Sequence, residues 1–139
     1  MAISPGAYIA LRRQAHGLLI EDVAAKMYTV PHHLNEAARV HWLRQIEADA
    51  SPMSNATIDA LREVFRFDPV VLLRLDEIHR GARLPEPRIC LGCGCSELDA
   101  CDTSGGRCQF IGCHWVSDTL CSACATRAGI APDRLGAAA

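Results

Sequence analysis

The chain has 139 residues, 50% of them hydrophobic, and a formal net charge of −2. That length holds one small core and an appendage, and excludes a large enzyme with a deep cleft. A charge so near zero excludes global attraction to nucleic acid, so any polyanion-binding surface must be local.

The first 80 residues predict consecutive short helices. Ser4 and Pro5 form a helix start, serine as cap and proline in the first turn, after which Tyr8, Leu11 and Ala15 share one face and Gly17 ends the segment. In LLIEDVAAKM, the residues Ile20, Val23, Ala24 and Met27 recur at the spacing of a helix with one buried face. The pattern lapses through YTVPHHLNE, where Pro31 forbids a continuous helix. It returns from Ala37 to Ala48, with Leu43 and Ile46 facing one way and Arg39, Arg44 and Glu47 mostly another. Ser51-Pro52 breaks the chain again. Ser54 caps a helix with Ile58, Leu61, Val64 and Phe65 inward, and Asp68-Pro69 caps a fifth that closes at Gly81. Pro85-Glu86-Pro87 is a stiff linker. The expected organisation is therefore a helical domain over 1–84, a linker over 85–88, a cysteine-rich module over 89–128 and a flexible tail over 129–139.

All eight cysteines lie between Cys90 and Cys124. The outer pairs, Cys90/Cys93 and Cys121/Cys124, are C-x2-C knuckles separated by 27 residues. Two such turns complete a tetrahedron of thiolates around Zn²⁺, with Zn–S distances of roughly 2.3 Å. The inner four, Cys95, Cys101, Cys108 and Cys113, could complete a second tetrahedron, with His114 as a substitute ligand or Cys108 left as a free thiol. One or two zinc ions per chain are thus expected. Four-thiolate zinc has no open coordination position, which makes it structural rather than hydrolytic. Two alternatives stay open: an iron–sulfur cluster, since C-x2-C-x-C partly matches ferredoxin runs, and four disulfides of a small secreted domain. Met1 is followed by AISPGAYIALRRQAHG, which lacks an apolar signal-peptide core, and no window approaches a membrane span. A cytoplasmic protein with reduced, metal-binding thiols is the expectation.

Charge divides the chain too. Residues 1 to 88 carry 11 Lys/Arg against 11 Asp/Glu, while 89 to 139 carry three against five. The cysteine module is acidic and a poor phosphate binder. Adjacent His32 and His33, with Glu36 and His41, lack the H-E-x-x-H spacing of a zinc hydrolase, and no nucleophile elbow or phosphate-binding glycine loop occurs. The chain is not expected to be an enzyme.

LRRQAHGLLIEDVAAKM and WLRQIEADASPMSNATIDALREVF resemble the first two helices, and the recognition-helix end through the fourth helix, of the Cro/repressor-type (Xre-like) helix-turn-helix family, over about residues 5 to 76. The resemblance implies a five-helix domain that lays its third helix in the major groove of double-stranded DNA, commonly as a homodimer. Arg39, His41, Trp42, Arg44 and Gln45 would then lie on the exposed face, with Leu43 and Ile46 in the core. In place of the family's glycine-containing turn between helices two and three stands the longer YTVPHHLNEAA. The run Cys90, Cys93-Gly94-Cys95, Ala100-Cys101, Cys113-His114-Trp115 and Leu120-Cys121-Ser122-Ala123-Cys124 is similar to one that recurs in small phage and prophage proteins; Cys108 lies outside that pattern. The combined expectation is a phage-type transcriptional regulator: a mainly α fold, with a zinc-ribbon-like module that also offers a surface to a protein partner. The competing expectation is a zinc-stabilised protein-interaction adaptor without DNA binding.

Overall fold

The computed structural model describes residues 2–27, 34–104 and 110–129. Cys108, residues 28–33 with His32 and His33, and the tail from 130 lie outside the described residues. The chain divides into two compact units, Met1–Pro87 and Arg88–Ala139. Among the described residues the fold is mainly helical, with six helices and two short strands.

Five helices build the first unit: α1 (Pro5–Ala15), α2 (Ile20–Lys26), α3 (Glu36–Glu47), α4 (Asn55–Val64) and α5 (Pro69–His79). Four of the five starts have a side-chain acceptor for the otherwise unpaired N–H groups of the first turn. Ser4 Oγ accepts from Ala7 N, Asn35 Oδ1 from Ala38 N, Ser54 Oγ from Thr57 N, and Asp68 Oδ1 from Val70 N and Val71 N. At α2 the capping runs the other way, Asp22 Oδ2 accepting from Leu19 N.

The core gathers Tyr8, Ile9, Val23, Ala24, Met27, Leu43, Ile46, Leu61, Phe65, Phe67, Val71, Leu72 and Leu75. Burying each large aliphatic side chain among these contributes about 1.5–3 kcal/mol. Helix α3 packs on both α1 and α2, and α1 also packs on α5. The buried face of α1 differs from the expected one: Tyr8 is buried but Ala15 is exposed, and Ile9, Arg12 and Arg13 turn inward instead. Arg13 is held by Glu47, so Glu47 too leaves the open face assigned to it and lies half-buried.

Helix α1 meets the end of α3 backbone to backbone. A Cβ on Gly6 would stand 2.6 Å from Glu47 O and closer still to Ile46 O, so only glycine allows the approach. Asp49, just past α3, takes a left-handed φ of 60° and accepts Gly6 N through Oδ1 at 2.8 Å. Tyr8 Oη accepts from Asp68 N at 2.8 Å inside the core, joining α1 to the start of α5.

The second unit contains the antiparallel strands β1 (Trp115–Ser117) and β2 (Leu120–Cys121), followed by α6 (Ser122–Arg127). None of these three elements was predicted from periodicity, being too short to show any. A further antiparallel bridge pairs Asp102 with Gly112. Among the described residues, no helix is long and apolar enough to cross a membrane.

Candidate metal centre

Three backbone devices bring the described cysteines together. The first is the knuckle at Cys90: Gly94 N donates to Cys90 O at 2.7 Å and Cys90 N to Cys95 O at 3.0 Å, closing a turn around Cys93. Gly94 has φ of 76°, a conformation glycine adopts without steric cost. Gly92 is needed for space, since a Cβ there would lie 2.9 Å from Cys124 Sγ. The second is the β1–β2 hairpin, which carries Cys121 opposite Trp115 and runs directly into α6 with Cys124 in its first turn. Leu91 N donates to Thr119 O at 2.9 Å, tying this hairpin to the first knuckle. The third is the bridge beside Asp102, where Cys113 N donates to Cys101 O at 3.0 Å and Cys101 N reaches Cys113 Sγ at 3.3 Å.

None of the seven described cysteines is in a disulfide, which disagrees with a four-disulfide scaffold. Their sulfurs form two groups of four, Cys90, Cys93, Cys95 and Cys121, and Cys95, Cys101, Cys113 and Cys121; within each, every sulfur lies within 4.8 Å of the others. Four thiolates at roughly 2.3 Å from one tetrahedral metal stand about 3.8 Å apart. The Cys93–Cys121 and Cys95–Cys113 sulfur separations are both 3.8 Å. In an iron–sulfur cluster ligated by four cysteines, thiolates on different irons are spread across the cluster's width, wider than these groups. The geometry therefore suits single metal ions with four sulfur ligands.

The grouping differs from that read off the spacing. Cys95, expected in the inner site, stands where Cys124 was expected in the outer one, and Cys121 belongs to both groups. Chain spacing pairs each knuckle with itself, whereas the turn from Cys93 through Gly94 carries Cys95 back over the same centre. Cys124 stays close, hydrogen-bonded to Cys90. His114 is exposed and belongs to neither group, its backbone being spent on Ser122.

The thiols feel one another strongly. Burial raises Cys90, but the N–H groups of Cys121, Gly92 and Cys93 and a hydrogen bond with Cys124 outweigh it and hold that thiol at about 7, below the ordinary 9.0. Burial, followed by the hydrogen bond with Cys90, pushes Cys124 up to about 12. The hydrogen bond with Cys101 drives Cys93 and Cys95 upward, and burial does the same for Cys113. Held this close, most of these sulfurs keep their protons until a cation displaces them.

Cys90, Cys93, Cys95 and Cys121 form a buried nucleus against which Trp115 and Leu120 pack. The Arg88 guanidinium lies 4.4 Å over the Trp115 ring, closing the aromatic on its outer side.

The residues expected to read DNA are dispersed in role. His41 and Arg44 are exposed on α3, Trp42 and Gln45 half-buried, and Leu43 and Ile46 buried as expected. Arg44 Nη2 reaches Glu21 Oε1 at 3.2 Å, with both side chains largely exposed. Gln45 lies 3.2 Å from His41 and accepts from Ser51 Oγ at 3.4 Å. Arg39 is a correction: it is buried, donating from Nη1 to Ala24 O and from Nη2 to Leu34 O, each at 3.0 Å. It satisfies carbonyls at the end of α2 and just before α3, so its guanidinium is not presented outward. No protein-family model, curated protein or solved structure matches the chain.

Proposed function

We propose that this chain is a cytoplasmic, sequence-specific DNA-binding regulator of phage or prophage type. Its helical unit is a Cro/repressor-type helix-turn-helix domain, acting as a homodimer, and its cysteine unit is stabilised by zinc. The observation that carries this reading is the division of α3 into a buried side, with Leu43, Ile46 and Arg39, and an outward side with His41 and Arg44. A helix anchored in this way against α1 and α2 can enter a groove without unpacking. Arg44 and Gln45 supply the paired donors and acceptors that match guanine and adenine edges.

Zinc suits the cysteine unit because four thiolates satisfy its tetrahedral preference and leave no position for a reacting water. This centre holds a fold together and does no hydrolysis. Its acidic surface would turn away from phosphate and toward a protein partner.

The test is selection from random duplexes at low salt with the full chain. One enriched motif is expected, and Arg44→Ala and Gln45→Ala should each lose about 1–3 kcal/mol on that motif while changing little on random DNA. A second reading, a protein-interaction adaptor, is favoured by the pairing of Arg44 with Glu21, which already neutralises the outward arginine. Selection that enriches no motif sinks the regulator reading and leaves the adaptor.

A further inference from the structure

The two four-sulfur groups are not separate sites. They have Cys95 and Cys121 in common, and Cys93 of the first group lies 3.5 Å from Cys101 of the second. Two independent tetrahedra would need eight ligands, and each would be enclosed by its own. Among the described residues the two groups draw on six sulfurs. Resting on the reading that the cysteine unit binds zinc, we infer that it holds a binuclear cluster in which Cys95 and Cys121 each bridge two metal ions.

In this arrangement Cys90 and Cys93 are terminal ligands of one ion, and Cys101 and Cys113 of the other. Each ion has four thiolates, two of its own and two shared. The charge argues the same way: six thiolates and two dications sum to −2, whereas eight thiolates and two dications sum to −4, and like charge confined in a small volume is costly. The backbone is arranged for it. Cys95 closes the first knuckle through Cys90 N, and Cys121 sends its N–H toward Cys90 Sγ at 3.4 Å. Both are about 1% exposed, in the middle of the sulfur nucleus, while Cys101 and Cys113 are less deeply placed.

The experiment loads the full chain with NMR-active cadmium in place of zinc and correlates each cadmium resonance with cysteine β-protons, alongside elemental analysis of the zinc protein. Two metal ions per chain are expected. The β-protons of Cys95 and Cys121 should each correlate with both cadmium resonances, and those of Cys90, Cys93, Cys101 and Cys113 with one. Cys108→Ser should keep both ions, because the shared arrangement does not call on that thiol. Two ions with every cysteine correlated to a single resonance would overturn the bridging while leaving the zinc reading intact, as would loss of one ion in Cys108→Ser. One ion per chain would overturn it too. A chain that binds no metal would sink the proposal and the zinc reading together.

Discussion

Arg13 and Glu47 form a two-pronged ion pair between α1 and α3: Arg13 Nε donates to Glu47 Oε1 at 2.6 Å and Nη2 to Oε2 at 3.0 Å, while Nη1 donates to Leu18 O at 2.7 Å. Only 10% of the arginine side chain and 14% of the glutamate remain exposed. Parallel bonds of this kind fix geometry as well as charge. Removing one partner should leave the other charge poorly solvated, so Glu47→Leu is expected to cost about 3 kcal/mol. Arg13→Met combined with Glu47→Leu should cost markedly less than the sum of the single changes. Urea midpoints of the two single variants and the double variant measure this, and additive losses would count against it.

Gly6→Ala tests the close approach of α1 to α3. Alanine is the better helix former by about 1 kcal/mol, yet its Cβ would strike the carbonyls of Ile46 and Glu47, which are backbone and cannot swing away. A net loss of at least about 2 kcal/mol is expected from thermal unfolding. At Gly17, φ is 69° but the space is open, so Gly17→Ala should cost only about 1–2 kcal/mol. Equal melting temperatures for the two variants would refute the distinction.

Arg39 separates stability from DNA contact. Arg39→Ala strips donors from Ala24 O and Leu34 O and is expected to lower unfolding stability by about 1–3 kcal/mol. Arg44→Ala, on an exposed side chain paired only with exposed Glu21, should change it by no more than about 0.5 kcal/mol. Denaturation curves showing the reverse order would overturn the placement of both side chains.

Metal removal should unfold the cysteine unit and spare the helices. The unit has few apolar residues beyond its sulfurs, and zinc binding in small cysteine domains supplies about 10–16 kcal/mol of apparent folding energy. After exhaustive chelation of the full chain, amide protection of 90–104 and 110–127 should vanish while that of α1 to α5 persists. Unchanged protection with metal release verified would show that the metal is dispensable.

Reloading should release protons. In the metal-free state Cys124, at about 12, carries its proton near neutral pH, and Cys93, Cys95 and Cys113 are raised as well, whereas Cys90, at about 7, is already partly thiolate. A metal must displace protons from the raised group, so apparent affinity should climb with pH and fall on acidification. An indicator dye follows the release, and affinity independent of pH would contradict it.

Local signals carried much of the helical unit. Ser4, Ser54 and Asp68 each announce a helix start by chemistry confined to a few residues, and Val23, Ala24 and Met27 show the buried face of α2 by spacing alone. The orientation of α1 was not legible, because Arg12 and Arg13 look like surface residues until Glu47, 34 positions beyond Arg13, supplies the partner for one of them. Arg39 misled for the same reason, its acceptors being carbonyls brought near by folding. In the cysteine unit the run itself was plain, but not which sulfurs share a centre. That depends on the turn at Gly94, with its positive φ, and on a bridge at Asp102 too short to leave a pattern.

The hydrogen bond from Asp68 N to Tyr8 Oη spans 60 positions and has a consequence for how the chain matures on the ribosome. Closing a loop of that length costs roughly 4 kcal/mol of chain entropy before any contact repays it. Tyr8 cannot gain its partner, nor α1 its cover by α5, until Asp68 and the helix after it have left the exit tunnel. The cover of α1 by α5 is therefore the last packing of the helical unit that synthesis makes possible.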